Sequence, residues 1–129
     1  MRTKAIFVLT LSLGLFLISC EKNDTITPSD NITTESRNIN GYTGISVSTA
    51  FSVYVTFSTT EESIEIEANE NLHSIIDVYK QGNDLVIKLQ DGSSVSGGNM
   101  VLKAYVKTSD LSAISVSEAA SIMLQNELS

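Results

Sequence analysis

Apolar and polar residues alternate with a period of two along most of the chain that follows the first 38 residues. Between Phe51 and Phe57 every second residue is apolar, and Ser52, Tyr54 and Thr56 fill the positions between them. This period is typical of β-strands with one buried face, and no later stretch shows a sustained helical period. The pattern therefore predicts an all-β fold.

Glycine and asparagine separate the apolar runs at places where tight turns are expected. Gln81-Gly82-Asn83-Asp84 predicts a hairpin turn, because Gly and Asn tolerate the positive φ of such turns. The predicted strands lie at about residues 45–47, 51–57, 63–67, 75–80, 85–90, 100–108, 111–116 and 122–125. Strands at this spacing are compatible with a β-sandwich, a barrel or a solenoid.

The N-terminus has the pattern of a secretion signal. Arg2 and Lys4 precede the apolar run Ala5–Ile18, which is shorter than the roughly 20 residues of a membrane-spanning helix. Residues 1–19 are therefore predicted to be a lipoprotein signal peptide. The next residue is Cys20, and Leu17-Ile18-Ser19-Cys20 resembles the lipobox of bacterial lipoproteins. The alternative is an ordinary secretory signal with a cysteine there by chance.

The resemblance to a lipobox implies a lipid anchor on Cys20. Two or three acyl chains would hold the protein at a membrane without a spanning segment. The expected location is the outer membrane, at the cell surface or on its periplasmic face. Removal of residues 1–19 takes away two basic residues and no acidic one, so the net charge changes from −7 to −9. Nucleic acid is not an expected partner of so acidic a chain.

A polar segment separates the cysteine from the alternating region. Residues 20–36 are rich in Thr, Ser, Asn and Asp, contain Pro28, and are predicted to form a flexible tether. Asp24-Thr25-Ile26 resembles the O-glycosylation motif of Bacteroidetes, which makes Thr25 a candidate glycosylation site. Residues 37–129 are predicted to form the β domain.

The β domain resembles a known family in spacing and pattern. The matching segments are Arg37–Val47, Ala50–Val55, Ile64–Leu72, Asp84–Ile87 and Ser109–Ser117. They resemble the head GIN domain of the family described as "putative auto-transporter adhesin". The resemblance implies a right-handed β-helix, a solenoid of short stacked strands, with a β-sandwich as the alternative fold. It also implies a Ser-Gly-Ala-Gly-like turn, and because Ser117-Glu118-Ala119-Ala120 lacks the glycines, a wider or different turn is expected.

Family members continue for several further rungs of the solenoid. The chain is therefore expected to be the N-terminal, incomplete part of such a domain, with a naturally short domain as the alternative. Leu111, Ile114, Val116, Ile122 and Leu124 would form a rung whose apolar face has nothing stacked on it. Self-association through this C-terminal edge is expected.

Candidate chemical groups are few. Five glutamates lie between Glu61 and Glu70, but Glu65 and Glu67 are about 7 Å apart on one strand face, which favours a solvated surface over a calcium site. His73 has no second histidine or cysteine beside it and is expected at a turn or strand edge. We therefore predict a protein that is not an enzyme and has no metal or cofactor site.

Four tyrosines remain as candidate ligand contacts. Tyr54 lies out of step with the buried positions of its strand, so its ring is a candidate for stacking on a sugar, with simple packing as the alternative. The preferred hypothesis is an adhesin or surface-interaction module that contacts a glycan or a surface protein. The alternatives are a polysaccharide-binding or polysaccharide-degrading protein and a periplasmic structural or stress-related component.

Overall fold

Strands dominate the computed structural model, which describes residues 25–125. The strands in this part of the chain are β1 (Thr25–Ile26), β2 (Ile32–Arg37), β3 (Gly44–Val47), β4 (Ser52–Phe57), β5 (Ser63–Asn69), β6 (Ile76–Gln81), β7 (Asp84–Leu89), β8 (Ser94–Val95), β9 (Leu102–Thr108), β10 (Ala113–Val116) and β11 (Ser121–Gln125). A 3₁₀ helix spans Glu70–Ile75. The prediction of an all-β fold is confirmed. The predicted signal peptide, residues 1–19, and Cys20 lie outside the described residues.

Two larger sheets and one small one organise these strands. The five-stranded sheet has the order β11-β4-β9-β5-β2, the four-stranded sheet has the order β10-β3-β7-β6, and β1 pairs with β8. The predicted hairpin is present, since β6 and β7 pair antiparallel across the turn at Gly82. No helix in residues 25–125 is both long enough and apolar enough to cross a bilayer.

In both larger sheets, a strand near the end of the described residues pairs in parallel with a much earlier strand. β10 pairs parallel with β3, matching Ala113 to Gly44, and β11 pairs parallel with β4, matching Ser121 to Ser52. The same offset of 69 residues separates hydrogen-bonded side chains such as Thr56 and Gln125. In both larger sheets, an edge strand therefore pairs in parallel with a strand that lies 69 residues earlier in the sequence.

The core lies between the sheets and follows the predicted alternation. Val53 and Val55 are fully buried, whereas Tyr54 between them points away from the core. The buried apolar side chains are Tyr42, Ile45, Val47, Phe51, Val53, Val55, Ile64, Ile66, Ala68, Leu72, Ile76, Leu85, Ile87, Leu89, Leu102, Ala104 and Val106. Burial of such side chains is the main favourable term in folding.

The turn that connects β10 to β11 forms without glycine. Glu118 and Ala119 have φ of 55° and 65°, and the equivalent residues 69 positions earlier, Thr49 and Ala50, have φ of 64° and 62°. The Ala50 N–H donates to the Glu118 carbonyl oxygen at 2.9 Å. The two turns therefore stack in the same left-handed conformation, which non-glycine residues adopt at an energetic cost.

Replacement of Ala119 by glycine is expected to raise the free energy of unfolding by about 0.5–1 kcal/mol, because glycine adopts a positive φ without a Cβ penalty. Ala113→Gly is the matched control, since Ala113 lies in β10, the strand that leads into the same turn. Glycine in a strand should lower stability by about 0.5–1 kcal/mol. Urea unfolding of both variants measures the two changes. Changes of the same sign would show that the turn is not strained.

The structure corrects the predicted tether over part of its length. β2 pairs antiparallel with β5, from Ile32 opposite Asn69 to Arg37 opposite Ile64. The polar segment before it is fixed as well, because Asn71 donates from Nδ2 to the Thr27 carbonyl oxygen at 2.8 Å. Residues 25–36 therefore form strands and anchored loops, and flexibility stays a prediction only for residues 20–24.

One edge of both sheets is apolar and exposed. β10 and β11 each have a strand neighbour on one side only within residues 25–125. Ile114, Val116 and Leu124 are 45%, 44% and 55% exposed. Ile45 and Val47, which occupy the matching positions in β3, are each 1% exposed. Within residues 25–125, these apolar side chains of β10 and β11 are therefore left without a covering layer.

Candidate functional site

The outward face of the five-stranded sheet carries a pair of stacked aromatic rings. Tyr54 of β4 and Tyr105 of β9 are direct partners in the parallel register of these strands. Their ring centroids are 5.3 Å apart and their planes differ by 16°. Such stacking of neighbouring aromatic side chains contributes about 0.5–1.5 kcal/mol beyond burial. The pair therefore holds both rings in defined positions on the surface.

The hydroxyl group of Tyr105 is fixed by the next strand. It donates to Glu67 Oε1 on β5 at 2.9 Å. Desolvation of the ring raises the pKa of Tyr105, and the hydrogen bond and negative charge of Glu67 raise it further. The phenol therefore remains neutral at physiological pH and keeps its proton in this hydrogen bond.

A groove of about 500 Å³ lies beside Tyr105, with lining residues from β4, β5 and β9. One face of the Tyr105 ring stacks on Tyr54, and the Tyr105 side chain also forms part of the groove lining. The groove is lined by Thr56, Glu61, Ser63, Glu65, Tyr105, Val106 and Lys107. Its volume is in the range of small-molecule sites in proteins.

The groove lining contains more acidic than basic side chains. Lys107 Nζ donates to Glu61 Oε1 at 2.8 Å, and this hydrogen bond together with the lysine charge lowers the pKa of Glu61. Glu65, the direct cross-strand partner of Tyr105, is a second carboxylate in the lining. Two carboxylates and one ammonium group therefore give the groove a net negative charge.

Tyr54, the residue singled out from the sequence, does not line the groove. Tyr54 supports Tyr105, which does line it. Tyr105 was among the four candidate tyrosines of the sequence, but only Tyr54 was singled out, although Lys103, Tyr105 and Lys107 also alternate with buried residues in β9. The same period-two signal that selected Tyr54 was therefore present there.

The other candidate residues are dispersed. Thr25, the candidate glycosylation site, is exposed in β1. Tyr42 is 2% exposed in the core, where burial first and the charge of Glu62 second raise its pKa to about 12. Tyr79 is exposed on the four-stranded sheet. Neither Tyr42 nor Tyr79 lines the groove.

His73 is buried in the 3₁₀ helix, which corrects the expectation of a turn or strand-edge position. Its Nε2 is 3.1 Å from the Thr33 carbonyl oxygen, so this nitrogen carries a proton. Its Nδ1 lies 3.5 Å from Glu35 Oε1. His73 thus attaches β2 to the helix. Within residues 25–125, no three His, Cys, Asp or Glu side chains are grouped so that they could hold a metal ion.

The fold and the surface define the class of protein first: an all-β domain with an aromatic groove on the outward face of a sheet. The chain belongs to the family described as "Putative auto-transporter adhesin, head GIN domain", whose model matches residues 41–129. The family resemblance inferred from the sequence is therefore confirmed. No curated protein matches the chain significantly.

Solved structures from Bacteroidetes share the fold. A putative adhesin from Parabacteroides merdae has a TM-score of 0.70 and 18% identity, over 80% of this chain and 42% of that one. A putative adhesin from Parabacteroides distasonis has a TM-score of 0.71 and 19% identity, over 80% and 42%. A putative lipid binding protein from the same organism has a TM-score of 0.69 and 15% identity, over 79% and 44%. The chain therefore spans less than half the length of each.

Proposed function

We propose that this protein is a lipid-anchored, non-enzymatic protein of the cell envelope that acts as an adhesin or surface-interaction module. Membership in the adhesin family supports an envelope role. The observation that carries the proposal is the groove beside Tyr105, where an exposed aromatic ring and hydrogen-bonding side chains lie on one outward surface. Polysaccharide binding is the alternative favoured by the same groove, and a periplasmic structural or stress-related role is another.

A solenoid is the architecture we propose for this module. The support is the constant 69-residue offset between stacked strands in two sheets, together with the parallel pairing of β3 with β10 and of β4 with β11. Sandwiches are built from antiparallel sheets, whereas stacked parallel strands are typical of β-helices. A stack of rungs would present the groove side chains on a flat, extended face.

The proposed anchor is a lipid on Cys20, with the protein at the outer membrane and facing the cell surface. Cys20→Ala is expected to abolish acylation and to leave uncleaved precursor or protein released from the membrane. Ser19→Ala is the matched control, because it keeps a small residue before the cysteine and should stay membrane-bound. Membrane fractionation and mass spectrometry measure both results. Recovery of mature-sized, membrane-bound Cys20→Ala protein would contradict the anchor.

Protease treatment of intact cells tests the surface location. We expect the wild-type protein to be degraded while a periplasmic marker survives. Cells that produce the protein should also bind an immobilised glycan or protein surface better than cells that lack it. Protection from protease on intact cells would exclude adhesion and favour the periplasmic alternative.

A further inference from the structure

We propose that the groove beside Tyr105 binds a single pyranose unit of a glycan, with a preference for amino sugars over neutral sugars and for neutral over acidic sugars. This inference rests on the proposed function and names its ligand. Its elements are an exposed aromatic ring, a set of hydrogen-bonding side chains and a lining with net negative charge.

The first element is the fixed aromatic surface. Tyr105 is 38% exposed, and its position is held by Tyr54 on one side and by the hydroxyl bond to Glu67 on the other. A pyranose presents C–H groups on one face, and an aromatic ring contacts such an apolar face favourably. Because both contacts are already made without a ligand, little ordering of Tyr105 would accompany binding.

The second element is the arrangement of polar groups around the ring face. Ser63 and Thr56 lie on the strands either side of β9, and their hydroxyls can donate or accept hydrogen bonds. The Lys107–Glu61 pair forms one part of the lining. Sugar hydroxyls require this mixture of donors and acceptors around an apolar contact.

The third element is charge, which distinguishes among sugars. The groove lining contains two carboxylates, those of Glu61 and Glu65, and one ammonium group, that of Lys107, so its net charge is negative. Opposite charges attract and like charges repel over such short distances. An ammonium group on the sugar would therefore be attracted to Glu65, and the carboxylate of a uronic acid would be repelled.

Binding of defined oligosaccharides by the full chain in detergent tests the proposal. The probes are tetramers of glucosamine, N-acetylglucosamine and galacturonic acid, immobilised at equal density. We expect the glucosamine tetramer to bind best and the galacturonic acid tetramer worst. Tyr105→Ala should weaken glucosamine binding at least tenfold, whereas Tyr79→Ala, which removes an exposed ring from the other sheet, should leave it unchanged.

Glu65→Gln provides a second variant that keeps the aromatic surface intact. It should remove the preference for glucosamine over N-acetylglucosamine while leaving binding of the N-acetylated tetramer within twofold. Circular dichroism confirms that each variant is folded. Preference for the acidic tetramer, absence of binding to all three, or equal binding by Tyr105→Ala would overturn the inference. If any of these three results is found and wild-type cells still adhere, the proposed surface function stands and only the proposed ligand is wrong.

Discussion

Replacement of Asn69 by leucine is expected to lower the free energy of unfolding by about 3 kcal/mol or more. Asn69 is 1% exposed, and its Nδ2 donates to the carbonyl oxygens of Ser29 and Asn99 at 2.8 and 2.9 Å. Its Oδ1 accepts from the Val101 N–H at 2.6 Å. Leucine satisfies none of these groups, and each buried polar group left unpaired costs about 1–3 kcal/mol. Urea unfolding measures the loss.

Two further variants separate this effect from simple loss of volume. Asn69→Asp keeps an acceptor for Val101 but places negative charge against two carbonyl oxygens, so we expect it to be at least as destabilising as leucine. Asn71→Ala removes two similar bonds at an exposed position, to Ser29 and Thr27, and should cost only about 1 kcal/mol. Equal losses for Asn69→Leu and Asn71→Ala would show that burial of the amide is unimportant.

The bonds of Asn69 and Asn71 explain why residues 25–36 were predicted from the sequence to be part of a flexible tether. Asn69 and Ser29 are 40 residues apart, and a bond from a side chain to a distant carbonyl leaves no periodic signal. β2 is also an edge strand, in which Glu35 lies opposite the buried Ile66. A polar strand attached by its backbone has the composition of a linker, so composition alone suggested a tether.

The alternation of β4 was predicted correctly because it depends on local geometry. Side chains of a strand point alternately to its two faces, so the burial of Val53 and Val55 follows directly from the pattern. For the site, the sequence singled out Tyr54 but not its partner Tyr105, because their contact depends on long-range pairing rather than on local geometry. The pairing that brings Tyr105 beside Tyr54 depends on how distant strands come into register, and one chain sequence does not state that register.

The edge formed by β10 and β11 leads to an expectation of self-association. Residues 111–125 contain one charged residue, Glu118, whereas the opposite edges carry charges such as Arg37 in β2 and Lys80 in β6. Charged residues on edge strands oppose pairing with another chain, and an exposed apolar edge favours it. We propose that two copies of the chain pair through these strands, with Val116 and Leu124 covered in the contact.

Sedimentation of the chain from residue 21 onward at micromolar concentration tests this expectation, and we expect dimers or larger species. The double variant Val116→Lys with Leu124→Lys should be monomeric. The two lysines of one copy would repel those of the other copy, and pairing would bury their charges in the contact. Ile32→Lys is the matched control, since Ile32 is 39% exposed on the opposite edge, and it should still self-associate. Both changes replace exposed side chains, so each folded monomer should lose no more than about 0.5 kcal/mol per substitution. A monomeric wild-type chain would mean that the exposed edge of β10 and β11 is not a pairing surface, and equal dissociation by Ile32→Lys would place the contact elsewhere.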